Sequence, residues 1–116
     1  MMTNTFPSEL RLTTPEQFQA VRDSGRAKYA GPLRVAGLAN GLDHNQLGLA
    51  VSRRFGKAVQ RNAVKRRLRE AFRLMHHDWP QGWDLVVNVK HHEIAKLNDY
   101  QRWLSDAVDR LVATPR

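Results

Sequence analysis

The chain is 116 residues long, 41% hydrophobic, without cysteine, and carries 19 Lys+Arg against 11 Asp+Glu. A single domain of this size buries roughly two-thirds of the surface its unfolded chain exposes, so it folds without a metal or disulfide staple. Zero cysteines exclude disulfide frameworks, thiolate zinc sites and thiol nucleophiles, and no apolar run exceeds five residues even with Gly counted, too short for a membrane-spanning helix. Residues 1–12 lack the basic start and apolar stretch of a secretion signal, which predicts a cytoplasmic protein. The whole chain, 1–116, reads as one domain, with residues 1–9 expected to form a flexible N-terminal tail.

Thr14-Pro15-Glu16-Gln17 signals the first helix: Thr14 caps, Pro15 suits the first helical position and Gln17 completes a capping box. Phe18 and Val21 share a face, and Gly25 marks the exit. Residues 33–39 alternate Leu33, Val35, Gly37 with Arg34, Ala36, Leu38, which predicts a strand with one buried face. A turn-rich stretch, 40–45, leads to a second strand over 46–52. There Leu47, Leu49 and Val51 share one face, and Gly48, Ala50 and Ser52 make the other unusually small.

A longer helix is predicted over 59–77. Its apolar residues Val64, Leu68, Ala71, Phe72 and Met75 fall within roughly 100° of arc. Asn62, Lys65, Arg66, Arg69 and Arg73 gather on a different face, with Arg61 and Arg67 flanking the apolar stripe. The segment 79–83 breaks this helix and leads to a strand over 84–90, with Leu85, Val87 and Val89 inward. A last helix has Tyr100, Leu104, Ala107, Val108 and Leu111 as its core face. The predicted order is α-β-β-α-β-α, an α+β domain.

The charge is concentrated. Residues 53–73 contain nine bases, Arg53, Arg54, Lys57, Arg61, Lys65, Arg66, Arg67, Arg69 and Arg73, against one acid, Glu70. The rest of the chain balances ten bases with ten acids. A solvated helix usually alternates charges in i,i+4 pairs, which one glutamate cannot do for nine cations. The stretch therefore points to a polyanion, foremost nucleic acid, and the predominance of arginine suits bidentate phosphate contacts.

Competing sites are weaker. The pairs His76-His77 and His91-His92 diverge on a helix or strand, so neither chelates one ion easily, and they read as exposed or edge residues. No nucleophile elbow, phosphate-binding loop or dinucleotide fingerprint is present, so no small-molecule cofactor is expected. The acids are scattered, and no side chain is assigned as catalyst. Trp103 is expected to pack on the sheet and Trp79 and Trp83 to close the core, whereas Phe18 suits either a core or a stacking position.

The run from Gly48 to Phe72, GLAVSRRFGKAVQRNAVKRRLREAF, resembles the signature of the bacterial ribonuclease P protein subunit, and the likeness extends over nearly the whole chain. The resemblance implies an α/β sandwich like a ribosomal-protein domain, with a left-handed βαβ crossover beside the sheet. It implies a catalytic RNA partner that performs magnesium-dependent removal of the 5′ leader from precursor tRNA, the magnesium being held mainly by that RNA. Carried over, the RNA-binding motif falls on Arg61, Asn62, Lys65, Arg66 and Arg69, with Arg53, Arg54 and Lys57 on its approach and Arg73 continuing the face. A leader-binding cleft is implied around Phe18, Arg34, Ala36 and Lys90. The chain departs from the pattern at Ala63, usually Arg, at Ala36, an aromatic in some members, and at His91, often basic. The alternatives are a structural RNA binder of ribosomal-protein type and a double-helix binder that lays the basic helix in a groove.

Overall fold

The structure, a computed structural model, describes residues 6–24 and 26–113. The first helix, α1 (Pro15–Asp23), starts as its sequence dictates: Gln17 N–H donates to Thr14 Oγ1 at 3.1 Å, and Thr14 N–H donates to Gln17 Oε1 at 3.0 Å. It ends at Ser24, whose single hydroxyl proton lies between the carbonyls of Val21 (2.7 Å) and Gly37 (3.0 Å), tying the helix to the sheet. Gly25, the expected exit, lies outside the described residues.

A strand absent from the predicted order follows, β1 (Ala27–Ala30), before β2 (Leu33–Ala39) and β3 (Gln46–Ala50). Helix α2 (Ala58–Met75), strand β4 (Trp83–Val89) and helix α3 (Leu97–Ala113) complete the fold. The order is thus α-β-β-β-α-β-α, and the four-stranded sheet runs β1-β2-β4-β3. β1 is a four-residue edge strand with one buried side chain, Ala30, too short for an apolar alternation to announce it. β1 and β4 both run antiparallel to β2, whereas β3 and β4 are parallel neighbours joined through α2. Such a parallel pair needs a crossover, and here the crossover is the basic helix.

Apolar layers lie on both faces of the sheet. The larger core joins α2 and α3 to the sheet through Val64, Leu68, Phe72, Tyr100, Leu104 and Leu111, with Trp79 and Trp83 closing it. A smaller cluster of Leu12, Val21, Ala36 and Val86 lies under α1, with Phe18 packed against it. β2 is therefore covered on both faces over part of its length, not on one: Ala36 and Leu38, opposite the larger core, pack under α1, whereas Arg34 does not.

The expected tail is packed from Phe6 onward. Phe6 is 6% exposed and meets the Phe72 ring at 5.8 Å. A 3-10 turn at Ser8–Leu10 follows, and the Glu9 carbonyl accepts from Gln46 Nε2 and from His44 Nε2, both at 3.0 Å. Leu12 N–H donates to the Leu47 carbonyl, so this segment lies along β3. Residues 1–5 lie outside the described residues.

His76 corrects a second expectation. It is buried and stacks on Phe72 with ring centres 5.0 Å apart and planes 8° off parallel. Its carbonyl accepts from Asn45 Nδ2 (3.4 Å) and Gln81 Nε2 (2.9 Å). The fully buried Asn45 also accepts from Trp83 N–H at 2.8 Å, so one side chain joins the end of α2 to the starts of β3 and β4.

Candidate nucleic-acid interface

The approach to α2 is a 3-10 turn, Arg53–Phe55, which buries Phe55 and leaves Arg53 and Arg54 exposed. Lys57 is the N-cap residue, and its backbone N–H donates to Gln60 Oε1 at 2.9 Å. A lysine side chain offers no acceptor, so Gln60 does the capping. Gly56 makes room for it, because a Cβ there would collide with the Gln60 amide. Past this cap, Val64, Leu68, Ala71 and Phe72 are buried, which fixes how the helix is rotated. Asn62, Lys65, Arg66, Arg69 and Arg73 then occupy about 100° of the other side, along roughly 16 Å of axis. Asn62, Arg66 and Arg73 are exposed, whereas Arg61, Lys65 and Arg69 are half-buried.

One of these cations is held in place. Arg73 grips Glu70 with two guanidinium nitrogens, Nε to Oε1 at 2.8 Å and Nη2 to Oε2 at 2.6 Å, and this contact holds the Glu70 carboxyl below its usual range. The pair is solvent-facing, so opening it costs little. Arg61 has a buried Nε without a hydrogen-bond partner among the described residues.

Arg11 is a contributor that sequence reasoning missed. It projects from the segment beside β3, sits over the Phe6 ring at 5.6 Å, and has a buried Nε without a partner. Burial first, then the charge of Arg11, lowers the pKa of Arg69. A cation from outside the basic run thus joins the helix face, through a pairing between the segment and β3 that no local spacing signals.

The residues expected to form a cleft are dispersed along the opposite face of the sheet. Ala36 is 2% exposed beneath α1 and is not accessible to a ligand, which removes it from the cleft. Phe18 is half-buried, packed in the same cluster with its ring over Gly48. A Cβ at Gly48 would lie 2.7 and 2.8 Å from two atoms of that ring, so the small β3 face serves to seat Phe18. Arg34 and Lys90 are clear of this roof. Lys90 follows β4, is exposed, and has its Nζ 5.6 Å from the centre of the Tyr29 ring.

The loop after Lys90 is pinned by a buried tyrosine. Tyr100 Oη accepts from Ala95 N–H at 3.2 Å and lies 2.7 Å from His92 Nε2. His92 Nδ1 lies 2.8 Å from the Lys90 carbonyl and donates to it. That tautomer leaves Nε2 as acceptor for the tyrosine hydroxyl. Among the described residues, no three His, Asp or Glu side chains gather where they could hold a metal ion, and no helix is long and apolar enough to cross a membrane.

A mixed sheet with a cationic crossover helix and few acids beside it defines a small α+β domain shaped to meet a polyanion. The comparisons with known proteins give that class a family. A family model described as Ribonuclease P matches residues 6–112. The ribonuclease P protein component of Roseiflexus castenholzii is 40% identical over 87 residues, covering 75% of this chain and 71% of the relative. That of Escherichia coli O157:H7 is 38% identical over 112 residues, 96% of this chain and 91% of the relative. The RNase P protein from Thermotoga maritima superposes with a TM-score of 0.77 at 29% identity, covering 91% of this chain and 98% of that one. This chain belongs to the ribonuclease P protein family.

Proposed function

We propose that this chain is the protein subunit of a bacterial ribonuclease P, acting in the cytoplasm. It binds the catalytic RNA through the α2 face and the 5′ leader of precursor tRNA on the sheet face beside α1. The observation that carries the reading is the basic face of α2: five polar and cationic side chains on one side of a helix whose opposite side is locked into the core. Family membership supports it by naming the ribonucleoprotein.

In this reading the residues position and neutralise. Arg66, Arg69 and Arg11 meet phosphates of the partner RNA, with Arg53, Arg54 and Lys57 extending the contact around the start of α2. Arginine forks fix register as well as charge. Arg34 and Lys90 hold phosphates of the leader. Magnesium is assigned mainly to oxygens of the partner RNA, where it would supply Lewis-acid chemistry for phosphodiester hydrolysis. No side chain of this chain is assigned to the bond-breaking step.

The test is cleavage of precursor tRNA by the catalytic RNA with and without this chain, at low and high magnesium. Neutralised phosphates reduce the need for counter-cations, so the chain should raise the rate most at low magnesium. An unchanged rate at every magnesium concentration would favour a structural RNA binder instead. Preference for a plain duplex over the structured RNA would favour the groove-binding alternative.

A further inference from the structure

α1 does not cover its face of the sheet evenly. Strand register places Ala27, Ala36, Val86 and Gly48 in one row across the four strands, and the smaller apolar cluster packs on this row. The next row on the same face is Tyr29, Arg34, Asn88 and Ala50, each opposite its neighbour. Side chains return to a face every second residue, so this second row lies about 7 Å beyond the first and spans about 14 Å from β1 to β3. None of its members is buried: Tyr29 is 55% exposed and the other three are half-buried.

Lys90, two residues past Asn88, holds its Nζ over one face of the Tyr29 ring, 5.6 Å from the ring centre. The platform is anchored from behind. Arg110 of α3 donates to the Tyr29 backbone carbonyl, and Lys90 N–H donates to the Pro32 carbonyl at 2.8 Å. A lone exposed aromatic needs no explanation. This one stands in a row with Arg34 and an amide, beside a second cation, and the row runs toward Ser52 and the cations Arg53 and Arg54. An aromatic face flanked by cations is what a single strand of nucleic acid requires.

We propose that Tyr29 is a base-stacking platform for the substrate leader, with Lys90 and Arg34 holding the phosphates on either side of the stacked base. The proposal rests on the leader-binding reading and adds to it the residue that takes a base. Stacking uses the ring face, so the hydroxyl is dispensable, and the base takes the face away from Lys90 or displaces its flexible side chain to the phosphate. The row places the stacked nucleotide on the β1 side of the sheet, with the chain continuing across Asn88 and Ala50 toward the basic helix.

The experiment uses the holoenzyme reconstituted with its RNA. Precursor tRNA carrying 2-aminopurine at successive leader positions is compared with mature tRNA, for the wild type and for Tyr29→Ala, Tyr29→Phe and Arg34→Ala. Thermal melts confirm that each variant is folded. Tyr29→Ala should weaken precursor binding about fivefold or more while leaving mature tRNA unchanged. It should also relieve fluorescence quenching at one or two adjacent leader positions, and Tyr29→Phe should retain both affinity and quenching. If Tyr29→Ala is silent while Arg34→Ala still separates precursor from mature tRNA, the stacking role is overturned and the leader surface stands. If neither variant separates the two tRNA forms, the leader-binding reading itself fails.

Discussion

Arg11 and Arg69 come from two different parts of the chain to lie near one another, and neither has an ion-pair partner among the described residues. Two like charges kept together in a half-buried position work against the fold. A phosphate between them would turn that repulsion into two charge-assisted contacts. The pairing of the N-terminal segment with β3 is what brings this cation near the helix face.

RNA affinity should therefore depend steeply on salt. Five to eight phosphate contacts predict a log–log slope of magnitude roughly 4 to 7. Arg11→Ala should weaken binding and reduce that slope by about one, read from filter binding at a series of salt concentrations. An unchanged slope would remove Arg11 from the interface, and a wild-type slope near one would remove the whole face.

The two sides of α2 should separate cleanly. Arg66 is exposed, so Arg66→Ala should weaken RNA binding while changing stability by no more than about 0.5 kcal/mol. Leu68 has no exposed surface, and Leu68→Ala should cost about 2–5 kcal/mol through the cavity it leaves. Denaturant unfolding measures both. An unfolded Arg66→Ala would mean that its side chain is structural.

Gly48 and Phe18 should be energetically coupled. A side chain at 48 collides with the Phe18 ring, so Gly48→Val should destabilise by about 1–3 kcal/mol. The penalty should shrink in a Phe18→Ala background, giving a coupling measurable by a double-mutant cycle. Equal penalties in both backgrounds would show that Phe18 is not what restricts the position.

His76 should make the protein sensitive to mild acid. Burial pushes its imidazole below the ordinary value of 6.5, and the nearby His77 and His44 add to the effect. The unfolded chain then takes up a proton near pH 6.5 that the fold resists. Stability is intact above that pH and declines as pH falls toward the lowered value. His44 moves the opposite way, raised chiefly by its hydrogen bond to Asp43, but it is present in both proteins of the comparison. His76→Phe should lose less Tm than the wild type between pH 7.5 and pH 5.5. Parallel losses would show that His76 does not carry the effect.

What the sequence determined by itself is local. The Thr14–Gln17 box is a relation between residues three apart, and it appears as predicted. The two faces of α2 follow from a 3.6-residue period, and so does the core face of α3 from Tyr100 to Leu111. Periodicity reports which side of an element is apolar. It does not report what covers the other side, which is why Ala36 read as open when α1 roofs it. The tertiary structure alone decided that β1 pairs with β2, that Arg11 lies near Arg69, that His76 stacks inside the core, and that Lys90 lies over the Tyr29 ring. The expected cleft and the observed sheet row differ for the same reason. Tyr29 and Lys90 are sixty-one positions apart, and only the β1-β2-β4 pairing carries one to the other, because strand register is a long-range choice that each strand's own pattern leaves open.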